Sequence, residues 1–148
     1  MYEIIKFTHL AAGMVWMGGM TFMIWALRPV ATAQLEPVQR LPLLAAVLNR
    51  FFKLVALCVL LLLGTGGLML IGVDMKLAPN GWHVMLGLGT LMCLIFGHLY
   101  FGPFRKMNRG LAENDLTAAG LQLTKIHPLV LTNFVLGWLA IGAVVIWR

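Results

Sequence analysis

Residues 54–73, LVALCVLLLLGTGGLMLIGV, run for twenty positions without a charged residue or a histidine. A helix needs about 20 mostly apolar residues to cross the hydrocarbon of a bilayer. This segment therefore reads as a transmembrane helix, and the rest of the chain repeats the pattern. Residues 7–27 are uncharged, although His9 lies among them. Residues 82–104 are uncharged but contain His83 and His98, and residues 129–147 hold only Thr132 and Asn133 as notable polar groups. With their flanks, four spans are expected at about 5–27, 52–73, 82–104 and 128–147, forming a single transmembrane domain.

Composition points the same way. Only 11% of the 148 residues are charged and 61% are hydrophobic, whereas a soluble domain carries about 25% charged residues. Water cannot solvate such a surface. The expected fold class is all-α, an integral membrane four-helix bundle whose main partner is the lipid bilayer. The net charge of +6 reflects topology rather than nucleic-acid binding, for which the chain has no module. Eight of the eleven basic residues (Arg28, Arg40, Arg50, Lys53, Arg105, Lys106, Arg109 and Lys125) fall in the first-to-second and third-to-fourth connections. Lys6, Lys76 and Arg148 lie on the opposite side. The positive-inside rule then places those two connections in the cytoplasm and both termini on the opposite, non-cytoplasmic side. Glu3 and Lys6 precede the first apolar run without a small-x-small cleavage site, so this helix is expected to stay in the mature protein.

Prolines mark the expected boundaries. Arg28-Pro29 should close the first span, because the residue before proline is pushed away from helical geometry. Pro79-Asn80-Gly81 should turn the chain between the second and third spans, and Pro103 should end the third. Pro128 suits the first turn of the fourth, where its missing N–H would be unpaired anyway. Residues 42–53 read as a helical lead-in to the second span, and residues 111–125 as a short interfacial helix.

Ionisable residues inside a span are costly to keep, which makes each a functional candidate. His9 and His83 fall near the outer ends of their helices, and His98 lies about 22 Å further along the third helix than His83. His127 opens the fourth helix near the depth of His98. At about 100° per residue, His9, Gly13, Trp16, Met20, Met23 and Leu27 share a stripe of the first helix. His83, Gly87, Thr90, Leu94, Gly97 and Phe101 share one on the third, with His98 at its edge. Glycines beside a histidine leave room for a flat ligand to approach the backbone. Haem b, held by imidazoles from facing helices, is such a ligand. The leading expectation is an electron-transfer protein. His9 and His83 would ligate an outer haem and His98, with His127, an inner one, exchanging electrons with a quinone or a periplasmic carrier.

Against each of these stands an ordinary packing role. A histidine in a span also serves as a hydrogen-bonding or interfacial residue. Met14, Met17, Met20 and Met23 recur every three residues. Thioethers favour Cu(I), so His9, Met20, Met23 and His83 form an alternative copper site, although methionine is also a flexible core filler. Cys58 and Cys93 sit in apolar runs and read as small core residues, and Asn133 reads as an interhelical hydrogen-bonding group. Neither an intramembrane carboxylate pair nor a Ser/His/Asp grouping is present. A third alternative is a cofactor-free accessory subunit of a larger membrane complex, and self-association into an oligomer is equally compatible.

Several short motifs bear a family likeness. His9-Leu10-Ala11-Ala12-Gly13, Trp16-Met17-Gly18-Gly19-Met20 and Arg28-Pro29 resemble the opening of the small copper-resistance D (CopD) membrane proteins. Asn49-Arg50-Phe51-Phe52, Trp82-His83-Val84-Met85 and Tyr100-Phe101-Gly102-Pro103-Phe104-Arg105 resemble their later signatures. The resemblance implies copper handling in the bacterial inner membrane. A further likeness, to the membrane protoporphyrinogen oxidase that binds haem, rests on a histidine early in the first span, here His9, and on a His-Val-Lys motif. That lysine is Met85 in this chain, so the likeness does not extend to oxidase activity, and His127 matches no family motif.

Overall fold

A chain in lipid has no water to satisfy its backbone, so each apolar stretch must hydrogen-bond within itself as a helix. The computed structural model describes residues 1–147 and shows four such helices: α1 (Tyr2–Gln34), α2 (Pro37–Leu70), α3 (Asn80–Ala112) and α4 (Leu116–Ile146). No strand occurs among the described residues. Arg148, one of the basic residues used for topology, lies outside them.

The helices are longer than the sequence implies. At 31 to 34 residues each, they extend roughly 50 Å, well beyond a hydrocarbon core of about 30 Å. The lead-in at residues 42–53 is the first part of α2, and the presumed interfacial helix at 111–125 divides between the end of α3 and the start of α4. α2 ends at Leu70, three residues short of the expected limit, and Gly72 turns the chain with φ +78°.

In α1, α3 and α4 a proline accounts for the difference. Pro29 does not close α1. Just before it, Met23–Leu27 widens into a π-helical turn in which the Arg28 N–H reaches back to the Met23 carbonyl, and the helix continues to Gln34. Pro103 likewise sits inside a π-helical turn, Tyr100–Phe104, through which α3 runs on to Ala112. Such single wide turns let a helix absorb a local irregularity without breaking. Pro128 lies well inside α4 rather than in its first turn. An internal proline costs about 3 kcal/mol, and burial on both sides of it, at Ile126 and Val130, offsets that loss.

Short connections make sequential helices antiparallel neighbours. α1 pairs with α2, from His9 beside Gly66 at one end to Gly19 against Phe51 further along. α3 pairs with α4, with Gly81 against the backbone of Ala143 and Trp147, and Gly110 against Ala119. Both described chain ends therefore lie at one end of the bundle with the 71–79 loop, and the basic connections lie at the other.

The two hairpins meet through aromatic side chains. Phe52, 2% exposed, packs edge-on against Phe96 at 5.7 Å and Phe104 at 4.9 Å, and Trp16 reaches Phe96 at 6.1 Å. Such pairs contribute roughly 0.5–1.5 kcal/mol each beyond area burial.

The closest backbone approach supplies a test. A Cβ on Gly81 would strike the carbonyl oxygens of Ala143 and Trp147, which cannot swing aside as a side chain can. Gly81→Ala should lower the stability of the detergent-solubilised protein by about 1–3 kcal/mol. Gly89→Ala, which meets nothing within 4 Å, should leave the melting temperature unchanged or higher.

Candidate functional site

Buried polar side chains are few, and they lie where helices meet. His9 is half-buried on α1, with Nδ1 2.9 Å from Oγ1 of Thr65 on α2. Thr65 is 9% exposed, and its single hydroxyl proton goes to the Leu61 carbonyl at 2.5 Å. Toward His9 its oxygen can only accept. With that proton on the carbonyl, the His9 tautomer that completes the pair has its proton on Nδ1 and its lone pair on Nε2. A neighbour that fixes the tautomer in this way is what a metal-ligating imidazole needs.

The other histidines have different surroundings. His83 and His98 are exposed on α3, and His98 lies near Gly102, whose added Cβ would stand 3.9 Å from its Cε1. The stripe that the sequence marks on α3 turns outward: His83, Gly87 and Thr90 are exposed, as are Leu94 and Phe101. The inward face of α3 carries Met92, Phe96 and Leu99 instead. The stripe on α1 does turn inward, with Trp16 and Met20 buried. His9 is thus half-buried against Thr65 of α2, while His83 is exposed on α3. Cβ atoms added at Gly13, Gly87 or Gly97 would meet nothing within 4 Å. His127 is half-buried and lines a small recess with Met23 and Arg28 at the basic end.

Among the described residues, no three His, Cys, Asp or Glu side chains gather closely enough to hold a metal ion. Thioethers do gather. A Cβ on Gly137 of α4 would collide with Sδ of Met17 and stand 3.2 Å from Cε of Met92, so methionines from α1 and α3 converge over one glycine of α4. One turn earlier on the same face, Asn133 is 3% exposed and donates Nδ2 to the Met92 carbonyl at 3.1 Å. Its Oδ1 is buried without a partner. Met20, 2% exposed, belongs to the same core, whereas Met14 is 65% exposed. The interhelical bond expected of Asn133 is present, and both cysteines are free. Met92 was not singled out in the sequence, and Met17 was named only as one of four regularly spaced methionines, outside the candidate copper site. Asn133 followed four residues later by Gly137, a polar group and a notch on one helical face, was the available signal.

A profile for the family Copper resistance protein D matches residues 45–147. The chain belongs to that family. No curated protein and no solved structure matches it. For this CopD-family member the match takes in most of α2 and all of α3 and α4, leaving His9, Met17 and Met20 of α1 outside it. The likeness to the haem-binding oxidase has no counterpart among the matches.

The His9–Thr65 contact can be weighed directly. Thr65→Val should destabilise the protein by about 0.5–1.5 kcal/mol. A double-mutant cycle with His9→Ala, followed by thermal unfolding in detergent, should give a coupling of about 0.6 kcal/mol, the usual size inside a membrane bundle. Strict additivity would show that the two side chains do not bond.

Proposed function

We propose that this chain is a copper-resistance membrane protein that handles copper as Cu(I) within its helix bundle, in the inner membrane of a bacterium with the basic end in the cytoplasm. The observation that carries this reading is the meeting of Met17 and Met92 over Gly137 in a member of the CopD family. Cu(I) is soft, and thioethers select it over the harder divalent ions. A thioether is also nearly as apolar as the hydrocarbon around it, so burial of these ligands costs little before the metal arrives. Asn133 Oδ1, buried and unpaired, is a dipole one turn away that a monovalent cation would satisfy.

His9 supplies the outer station. Its Nε2 lone pair is left free by the Thr65 contact, and Met17 lies eight residues further along the same helix, about 12 Å deeper. Met20 continues the line inside the core. Copper is the cargo, passing from imidazole to thioethers with no redox step required. The copper site read from the sequence is thus revised: Met17 and Met92 join His9 and Met20, while Met23 lies in the recess beside His127 and His83 is exposed.

Copper content of the purified full-length protein, together with Cu(I) affinity measured against a chromogenic chelator, tests the proposal. Met17→Leu combined with Met92→Leu keeps the core volume and should weaken Cu(I) binding at least about tenfold, the equivalent of about 1.4 kcal/mol. A host lacking the gene should lose copper tolerance and regain it with the wild-type chain but not the double variant. Absence of bound copper together with unchanged tolerance would reject the reading. A Soret band in the protein as purified, lost on His83→Ala, would replace copper by haem.

A further inference from the structure

At the basic end of the bundle a cavity of about 400 Å³ opens between the end of α1 and the starts of α2 and α4. Two of its walls are cationic. Arg28 from α1 and Arg40 from α2 both line it, near enough for their like charges to repel each other. Thr32, Thr117 and Thr124 add three hydroxyls, and no carboxylate lines the space. The nearest acids in sequence are Glu36 and Asp115. Glu36 is exposed and makes no side-chain hydrogen bond to the α2 backbone. Asp115 uses its carboxylate to cap α4, accepting from the Ala118 N–H at 2.9 Å.

Pro37 and Leu116, the first residues of α2 and α4, also border the cavity; α4 is capped by Asp115, whereas the positive end of α2 has no side-chain cap. Two half-buried arginines, the uncapped N-terminus of α2 and three hydroxyls around one open space make an electropositive recess with no carboxylate in its lining. Arginine's planar fork matches the paired oxygens of a phosphate.

The floor indicates which phosphate. Arg28 and Leu123 also border a second, much smaller recess of about 30 Å³, lined by His127 and by apolar side chains such as Leu44, Leu48, Ile126 and Val130, so the charged mouth adjoins a mostly apolar face of the bundle. A free phosphate would use only the mouth. We infer that this cavity binds the phosphate headgroup of an anionic membrane lipid, whose acyl chains continue into the bilayer alongside the bundle. The proposal is independent of the copper reading and involves none of its ligands.

The test is thermal unfolding of the full-length protein in zwitterionic detergent, followed by tryptophan fluorescence, with phosphatidylglycerol, phosphatidylcholine or inorganic phosphate added. Ligand that binds only the folded state raises the melting temperature. Phosphatidylglycerol should raise that of the wild type, and phosphatidylcholine and phosphate should not. In the double variant Arg28→Gln with Arg40→Gln, the apparent affinity for phosphatidylglycerol should fall at least about tenfold. Without lipid the variant should melt no lower than the wild type, because the repulsion has been removed. Arg105→Gln with Lys106→Gln, exposed at the same end but outside the cavity, should keep the full lipid response. Should the double variant fail to fold, Arg40→Gln alone provides the same readout at the first turn of α2. An equal response to phosphatidylcholine, or an undiminished response in the cavity variants, overturns the proposal. Stabilisation by inorganic phosphate equal to that by lipid overturns the lipid assignment and makes the cavity a free-phosphate site.

Discussion

Phe52 is the side chain on which the two halves of the bundle close. Each hairpin is held together locally by short connections and glycine contacts, but hairpin must still be joined to hairpin. In lipid there is no hydrophobic force to do this, since the tails are as apolar as leucine, so packing must supply it. Phe52 on α2 faces Phe96, Tyr100 and Phe104 on α3, and Trp16 on α1 faces the same Phe96. This aromatic layer sets the rotation of α3 about its own axis. It points Met92, one turn from Phe96, inward and leaves the His83 stripe on the outer surface. The identity of the candidate ligands is therefore a consequence of aromatic packing made elsewhere in the bundle.

That dependence explains what could be read from the chain and what could not. Residues 54–73 alone establish a membrane helix, and the four-helix class follows from repeating the same reading. Which face of a helix turns inward is harder to see. In a soluble helix the polar side announces the exterior, whereas α3 is apolar all round, so periodicity groups His83, Gly87 and Phe101 on one face without saying which way it looks. On α1 the same method succeeds because Trp16 and Met20 share the stripe with His9. Asn133 was legible, because a lone amide in a span must find a partner.

Proline was over-read. The local rule that proline terminates a helix holds where water can take up the freed carbonyl. In a bilayer the chain has more to lose by ending a helix early. It keeps the helix and widens one turn instead, at Met23–Leu27 ahead of Pro29 and at Tyr100–Phe104 around Pro103. A wide turn also rotates everything beyond it. The residues after each π turn occupy a different face from the one an uninterrupted helix would give them, a shift that composition and spacing do not reveal.

The consequence is largest at Arg28. Had α1 ended before Pro29, this residue would be a loose headgroup-level cation like the others on its side of the membrane. Because the helix runs through, Arg28 is carried on a rigid element to face Arg40 across the cavity, with the smaller recess beside it. Two arginines so placed repel each other, and side chains this long would swing apart into solvent if nothing opposed that. The start of α4, with Thr117 and Thr124 on the same cavity wall, limits where they can go. An enclosure that holds like charges together is stabilised by whatever anion neutralises them, so the part of the fold least evident from the sequence is also the part most dependent on the composition of the surrounding membrane.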